Sequence, residues 1–296
     1  MARELKGIIP PMTTPFTRTG EVYEEGLRRL VEFLVDKGCH GLFICGSYGS
    51  GPLMTLAERK KVSEIVVEQA RGRIAVVTHV GSATTADAVE LAKHAADAGA
   101  DYVASISPFY YHYDEKSVAE YFRALAQAVN VPVYVYNNPK AVNVSITPRL
   151  LRRLADVGVA GIKDSGFNYI DFTHLVLAME DRPDFRFIVG TEAIALPAFM
   201  VGAKGCVSGL ANAFPEIMVQ LWNLYEAGKY EEASRLQLKV NKARQALHIP
   251  SSTNAACYAA LNARGVDVGY PRPPILPVEE KDQEAMMAAF RQMGLV

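Results

Sequence analysis

The chain has 296 residues, half of them hydrophobic and 21% charged, with a formal net charge of -1. That balance gives no electrostatic reason to bind nucleic acid or an anionic membrane, and no apolar run approaches the roughly eighteen residues of a spanning helix. Cys39, Cys45, Cys206 and Cys257 have no C-x-x-C pairing and no zinc-like spacing to histidine, so they read as reduced core thiols. The N-terminal MARELKGIIPPM lacks the apolar stretch of a secretory signal, and a cytoplasmic location is expected.

From Gly7 to about residue 210, short β-like runs alternate with amphipathic helical segments, the pattern of parallel strands joined by crossover helices. The runs are 7–12, 41–45, 74–80, 102–106, 131–136, 159–163, 185–189 and 205–207. Helices are predicted to begin near Tyr23, Thr55, Thr84, Lys116, Thr147, Tyr169, Ile194 and Pro215. Thr55 and Glu58 form a T-x-x-E capping box, and Thr147 precedes Pro148 at a first helical position. Eight such units predict an α/β protein of the closed (β/α)8 TIM-barrel type rather than an open doubly wound sheet. Residues 1–214 hold the strands and most barrel helices. Residues 215–296 hold the last barrel helix and a C-terminal helical extension, with helical periodicity over 216–227, 230–247, 251–262 and 280–293. The four prolines of 269–277 make that segment an extended connector.

In such a barrel the active site lies where the strands give way to loops. The sixth run ends in Gly161-Ile162-Lys163-Asp164-Ser165. A lysine there either reaches solvent as an ordinary strand terminus or, if desolvated, becomes the nucleophilic amine that condenses with carbonyls. Other strand ends are rich in hydroxyls. The second gives Gly46-Ser47-Tyr48-Gly49-Ser50-Gly51, either a plain tight turn or one whose backbone N–H groups face an anion. The fourth gives Ser107-Pro108-Phe109-Tyr110-Tyr111 and the fifth Tyr136-Asn137-Asn138-Pro139. Tyrosines at strand ends commonly cap the core with the hydroxyl in water. Taken together, Tyr136, Ser47 and Tyr110 supply a set of hydroxyls able to move protons around an imine on Lys163 without a metal.

These motifs resemble the pyruvate-dependent class I aldolase superfamily that contains dihydrodipicolinate synthase, N-acetylneuraminate lyase and 2-keto-3-deoxygluconate aldolase. The likeness runs from Gly7-Ile-Ile-Pro-Pro-Met-Thr-Thr-Pro-Phe16 through the Tyr110, Tyr136 and Lys163 motifs to the helical C-terminal region. The resemblance implies that Lys163 forms the Schiff base, Tyr136 transfers protons, Ser47 relays them, and Tyr110 is lent to a neighbouring subunit. It also implies a homotetramer built as a dimer of dimers, with pyruvate and an aldehyde as small-molecule partners and the covalent imine in place of any cofactor.

Two departures bear on the substrate. Tyr48 and Ser50 stand where most of the family has a second hydroxyl and a glutamate, and Ala141 stands where dihydrodipicolinate synthases carry a carboxylate-gripping arginine. Backbone contacts around Tyr48 and Gly49 are left to hold the pyruvate carboxylate. Ser165, Thr191, Glu192, Val207 and Ser208, at the ends of the sixth to eighth runs, are candidates to bind a hydroxylated acceptor or to serve as helix caps. The reading is a lyase acting on a 2-keto-3-deoxy sugar acid or related 2-keto acid. The alternatives are a 4-hydroxy-tetrahydrodipicolinate synthase-type condensation, a keto-deoxy acid dehydratase, or a non-catalytic keto-acid-binding relative. The six histidines show no metal-binding spacing, and His112 is the one placed to face the cavity.

Overall fold

Strands buried on both faces read as continuous apolar runs, and the eight short runs form one parallel sheet. The computed structural model describes residues 3–296, so the first two residues of the N-terminal stretch lie outside it. The strands are β1 (Gly7–Ile9), β2 (Gly41–Ile44), β3 (Ala75–His79), β4 (Tyr102–Ile106), β5 (Val133–Asn137), β6 (Val159–Asp164), β7 (Arg186–Val189) and β8 (Gly205–Val207). They are ordered β1-β8-β7-β6-β5-β4-β3-β2. Closure comes from β2 against β1 and the residues after it: His40 N donates to Ile8 O at 2.9 Å, Phe43 N to Pro10 O at 3.0 Å and Met12 N to Phe43 O at 3.0 Å. The first strand ends at Ile9 rather than continuing to Met12, because Pro10 and Pro11 have no N–H to extend a ladder.

Alternation along each strand sorts the side chains. Ile8, Leu42, Ile44, Val76, Val103, Val135, Ile162 and Val189 pack outward against the helices. Ile9, Phe43, Val77, Ala104, Tyr134, Ile188 and Val207 fill the barrel interior. With Ile162 outward, Lys163 points inward and Asp164 outward. The pairing of β5 with β6 shifts register after Val133, and beyond the shift Tyr136 lies opposite Lys163 and Asn137 opposite Asp164. Gly161 is required there, since a Cβ would come within 2.6 Å of the Tyr134 ring and 2.7 Å of Arg186 O.

The helices α1 (Glu24–Asp36), α2 (Leu56–Ala70), α3 (Thr85–Asp97), α4 (Glu115–Ala128), α5 (Pro148–Asp156), α6 (Tyr169–Leu177), α7 (Ala195–Met200) and α8 (Pro215–Glu226) alternate with the strands. The Thr55–Glu58 capping box forms in both directions, and Thr147 caps Leu150 N ahead of Pro148. Single 3-10 turns at Gly51–Leu53, Glu192–Ile194 and Leu210–Asn212 follow β2, β7 and β8, which the apolar periodicity did not foretell. Beyond the barrel come α9 (Tyr230–Leu247), α10 (Thr253–Ala263) and α11 (Glu280–Gln292). The proline-rich connector is fastened by Arg272, which pairs with Glu58 and donates to Leu53 O at 3.0 Å. Among the described residues, no helix is long and apolar enough to cross a membrane.

Candidate active site

A cavity of about 320 Å³ opens at the C-terminal ends of the strands. Lys163 stands at its floor, 4% exposed, above an apolar plug that includes Ile9, Phe43, Val77 and Tyr134. The ammonium nitrogen Nζ lies 3.6 Å from the centroid of the Tyr136 ring and 3.8 Å from that of Phe43. Burial pulls the Lys163 pKa below its ordinary value, and the neighbouring Tyr136 only partly restores it. Burial alone would raise the Tyr136 phenol, but the Lys163 charge and the hydroxyls of Ser47 and Ser165 outweigh it, and the phenol is lowered. Asn138 Nδ2 donates to Tyr136 Oη at 3.2 Å.

His79 backs this pair, its ring edge-on to Tyr136 at 5.9 Å between centroids. Its Nδ1 lies 3.2 Å from Cys45 O, and Ile106 N donates to its Nε2 at 3.3 Å, an arrangement that fits the neutral Nδ1–H tautomer. Burial, then Arg59 and Lys163, hold its pKa well below the ordinary value.

The loop after β2 is held by two residues. Thr14 Oγ1 donates to Gly49 O at 2.7 Å, and Asn254 Nδ2, near the start of α10, donates to Ser47 O at 3.1 Å and Tyr48 O at 2.9 Å. Ser47 and Tyr48 line the cavity. Tyr48 lies against Gly209, where an added Cβ would come within 2.4 Å of its Oη. Gly49 is buried behind the loop, against Cys45 N and Met12 O, with no room for a side chain.

Ser165, Thr191, Glu192 and Val207 line the cavity, while Ser208 lies behind it and donates from Oγ to Glu192 Oε2 at 3.1 Å. Tyr110 is 79% exposed, with φ +85° and its ring against Tyr111, so the described chain keeps it out of its own cavity. His112 is also exposed and lies outside the lining. His248 lines it instead, together with Lys140, Phe167, Thr253 and Arg244. Arg244 and His248 come from α9 and its C-terminal cap, a contribution hidden from sequence because α9 follows the barrel. Among the described residues, no three His, Cys, Asp or Glu side chains gather as a metal site.

The Dihydrodipicolinate synthetase family model matches residues 4–293. The chain belongs to that family. It is 35% identical over 293 residues, 99% of this chain and 95% of the relative, to an uncharacterized DapA-like lyase of Halobacterium salinarum. Its fold is similar to that of YagE from E. coli K12, a prophage protein of the dihydrodipicolinic acid synthase family solved with pyruvate, at TM-score 0.96 and 26% identity, covering 99% of this chain and 100% of that one. A catalytic-lysine mutant of the Ruminococcus gnavus sialic acid aldolase matches at TM-score 0.92 and 28% identity, covering 99% and 97%. Members of this family are class I lyases, which join a lysine amine to a keto acid as a Schiff base and need no cofactor.

Proposed function

We propose that Lys163 is the imine-forming lysine of a pyruvate-dependent aldolase that reversibly cleaves a 2-keto-3-deoxy sugar acid or related 2-keto acid. The observation that carries this reading is the inward amine of Lys163, desolvated at the floor of an open cavity and sandwiched between Phe43 and Tyr136. Its neutral form attacks the keto carbon, and loss of water leaves a protonated imine that accepts electrons from the breaking carbon–carbon bond. Tyr136 takes the proton from the departing hydroxyl as an aldehyde is released, and the remaining enamine is protonated and hydrolysed to pyruvate. Ser47 sits at the lip of the loop to relay that proton. Ser165 and Glu192 offer hydrogen bonds to acceptor hydroxyls, with Ser208 orienting the Glu192 carboxylate from behind, and backbone groups around Tyr48 and Gly49, with Val207, border the pyruvate end.

The reading extends to a homotetramer in the cytoplasm in which Tyr110 completes a neighbour's site. The exposed Tyr110–Tyr111 pair, and the exposed Ile170 and Leu177 of α6 and Leu238 of α9, support burial against further copies. Ala141 favours aldol cleavage over condensation with aspartate semialdehyde, because no side chain at that position can grip a second carboxylate.

Borohydride reduction in the presence of pyruvate, followed by mass analysis, tests both parts. One pyruvyl adduct per chain is expected, absent in Lys163→Ala, and the unreduced protein should fly as a tetramer under native conditions. An adduct that persists in Lys163→Ala sinks the assignment, and a monomer removes Tyr110 from the site.

A further inference from the structure

The cavity wall holds cations that pyruvate chemistry does not use. Lys140, just after β5, and Arg244, from α9, approach the same ring: Lys140 Nζ lies 4.9 Å and Arg244 Cζ 5.9 Å from the centroid of Phe167. Phe167 is held at φ +61°, a left-handed conformation unfavourable for a bulky side chain. Arg244 Nε meets Glu192 Oε1 at 3.4 Å, and Ser208 already donates to the other oxygen of that carboxylate. Among the described residues, neither terminal nitrogen of Arg244 has a hydrogen-bond partner and Lys140 has no ion pair, whereas the guanidinium groups of Arg28, Arg73, Arg152 and Arg272 are all paired. The Arg244 side chain is only 26% exposed, so its free edge is largely fixed in place. His248 stands beside them, its Nδ1 turned to Arg244 O at 2.8 Å, and is not counted among the cations.

The geometry points to an anion subsite formed by Arg244 and Lys140 around Phe167, which binds a phosphate or carboxylate at the end of the acceptor aldehyde remote from the new carbon–carbon bond. It rests on the aldolase reading above and deepens it by naming the acceptor class. Arg244 and Lys140 both line the cavity, whose one lining carboxylate among the described residues is Glu192, so a bound anion relieves an excess of positive charge. The Arg244 fork matches the two-oxygen edge of either anion. Arg244 reaches this wall from α9, a different element from the loop that carries Ala141. At about 320 Å³ the cavity has room for such a tail beyond a lysine-bound pyruvate.

The experiment measures kcat/KM in the condensation direction with pyruvate and glyceraldehyde, glyceraldehyde 3-phosphate or aspartate semialdehyde. The wild type should favour at least one anionic aldehyde over glyceraldehyde by about tenfold or more, and which one it favours tells phosphate from carboxylate. Arg244→Gln should shrink that ratio by about tenfold to a hundredfold through KM for the anionic aldehyde, with Arg244→Lys in between. Lys140→Gln, at an exposed position that folding does not depend on, should shrink it less. A wild-type ratio near one overturns the subsite, and so does a rise confined to KM for pyruvate in Arg244→Gln. The pyruvyl adduct on wild-type Lys163 keeps the two readings apart: its absence defeats the imine, and its presence without anion selectivity defeats only the subsite.

Discussion

The floor and the rim of the cavity are built in different ways. The floor consists of Lys163, Tyr136, Phe43 and His79, all on strands, and the ladder that opposes Tyr136 to Lys163 also fixes which way each side chain points. The rim is assembled from the loop holding Ser47 and Tyr48, from Lys140 and Phe167 in two other loops, and from Arg244 and His248 at the end of α9. Sheet register leaves the floor little freedom, so it can carry the chemistry shared across a family. The rim depends on how loops and a helix outside the barrel happen to pack, so it is where substrate choice varies. Floor substitutions should therefore act on turnover, and rim substitutions, Ser47 with its link to Tyr136 excepted, on KM and selectivity.

The sharpest way to break that division is Tyr136→Phe. The ring remains to flank Lys163 and His79, and only the hydroxyl that Asn138 contacts is lost. Removing a general acid–base group lowers turnover by about 10²–10⁴-fold. The expected result in steady-state kinetics is a fall of that order in kcat, with KM for pyruvate and the melting temperature little changed. Wild-type turnover would remove Tyr136 from the proton path.

The floor was legible because strand alternation is a strong constraint: an outward Ile162 requires an inward Lys163, and eight apolar runs separated by helical segments leave few alternatives to a barrel. Capping chemistry placed the starts of α2 and α5 to within a residue. The rim was legible only in part. Ser47 and Tyr48 follow directly from the end of β2, but the amphipathic pattern of α9 reports which face is buried and says nothing of the strand end it covers. Arg244 and His248 carry no local signal of their place. The Asn137–Asn138 pair ahead of Pro139 suits a turn, yet both amides are engaged: Asn138 with Tyr136, two residues back, and Asn137 across the β5–β6 pairing with Asp164.

That Asn137–Asp164 contact lies on the outer face of the floor. Asn137 Nδ2 donates to Asp164 Oδ1 at 2.6 Å, while Asn137 Oδ1 accepts from Ile146 N at 3.2 Å. Burial raises the Asp164 carboxyl to about 6, against the hydrogen bonds from Asn137 and Gly166. A folded-state pKa above the unfolded one gives stability that is fully present below the unfolded value, here 3.8, and is lost as pH rises through about 6. The interval corresponds to ~3 kcal/mol at about 1.4 kcal/mol per unit. Asp164→Asn keeps the shape without the titration. Denaturant unfolding should show the variant gaining on the wild type by about that amount as pH rises from 4 to 7. A difference independent of pH would mean that Asp164 is not buried as a titrating acid. Loss of the pyruvyl adduct would show that this pair, and not the ladder alone, sets the floor.

The smallest expected effect tests the rim. Gly209 has φ −61° and ψ −38°, a conformation open to any residue, so replacing it probes space alone. An alanine Cβ would come within 2.4 Å of Tyr48 Oη and 2.6 Å of its Cζ, and the ring must swing away from β8. Overpacking of this kind costs roughly 1–3 kcal/mol, and the displaced ring enters the cavity beside Ser47. Gly209→Ala should therefore raise KM for the aldehyde several-fold, about 1 kcal/mol, while kcat holds within a factor of about two. Adding Tyr48→Thr, which supplies the small hydroxyl common in the family, removes the clash, and the pair should recover much of the lost affinity as a non-additive double variant. A fall in kcat with KM unchanged would place Tyr48 with the floor and end the distinction between shared chemistry below and substrate choice above.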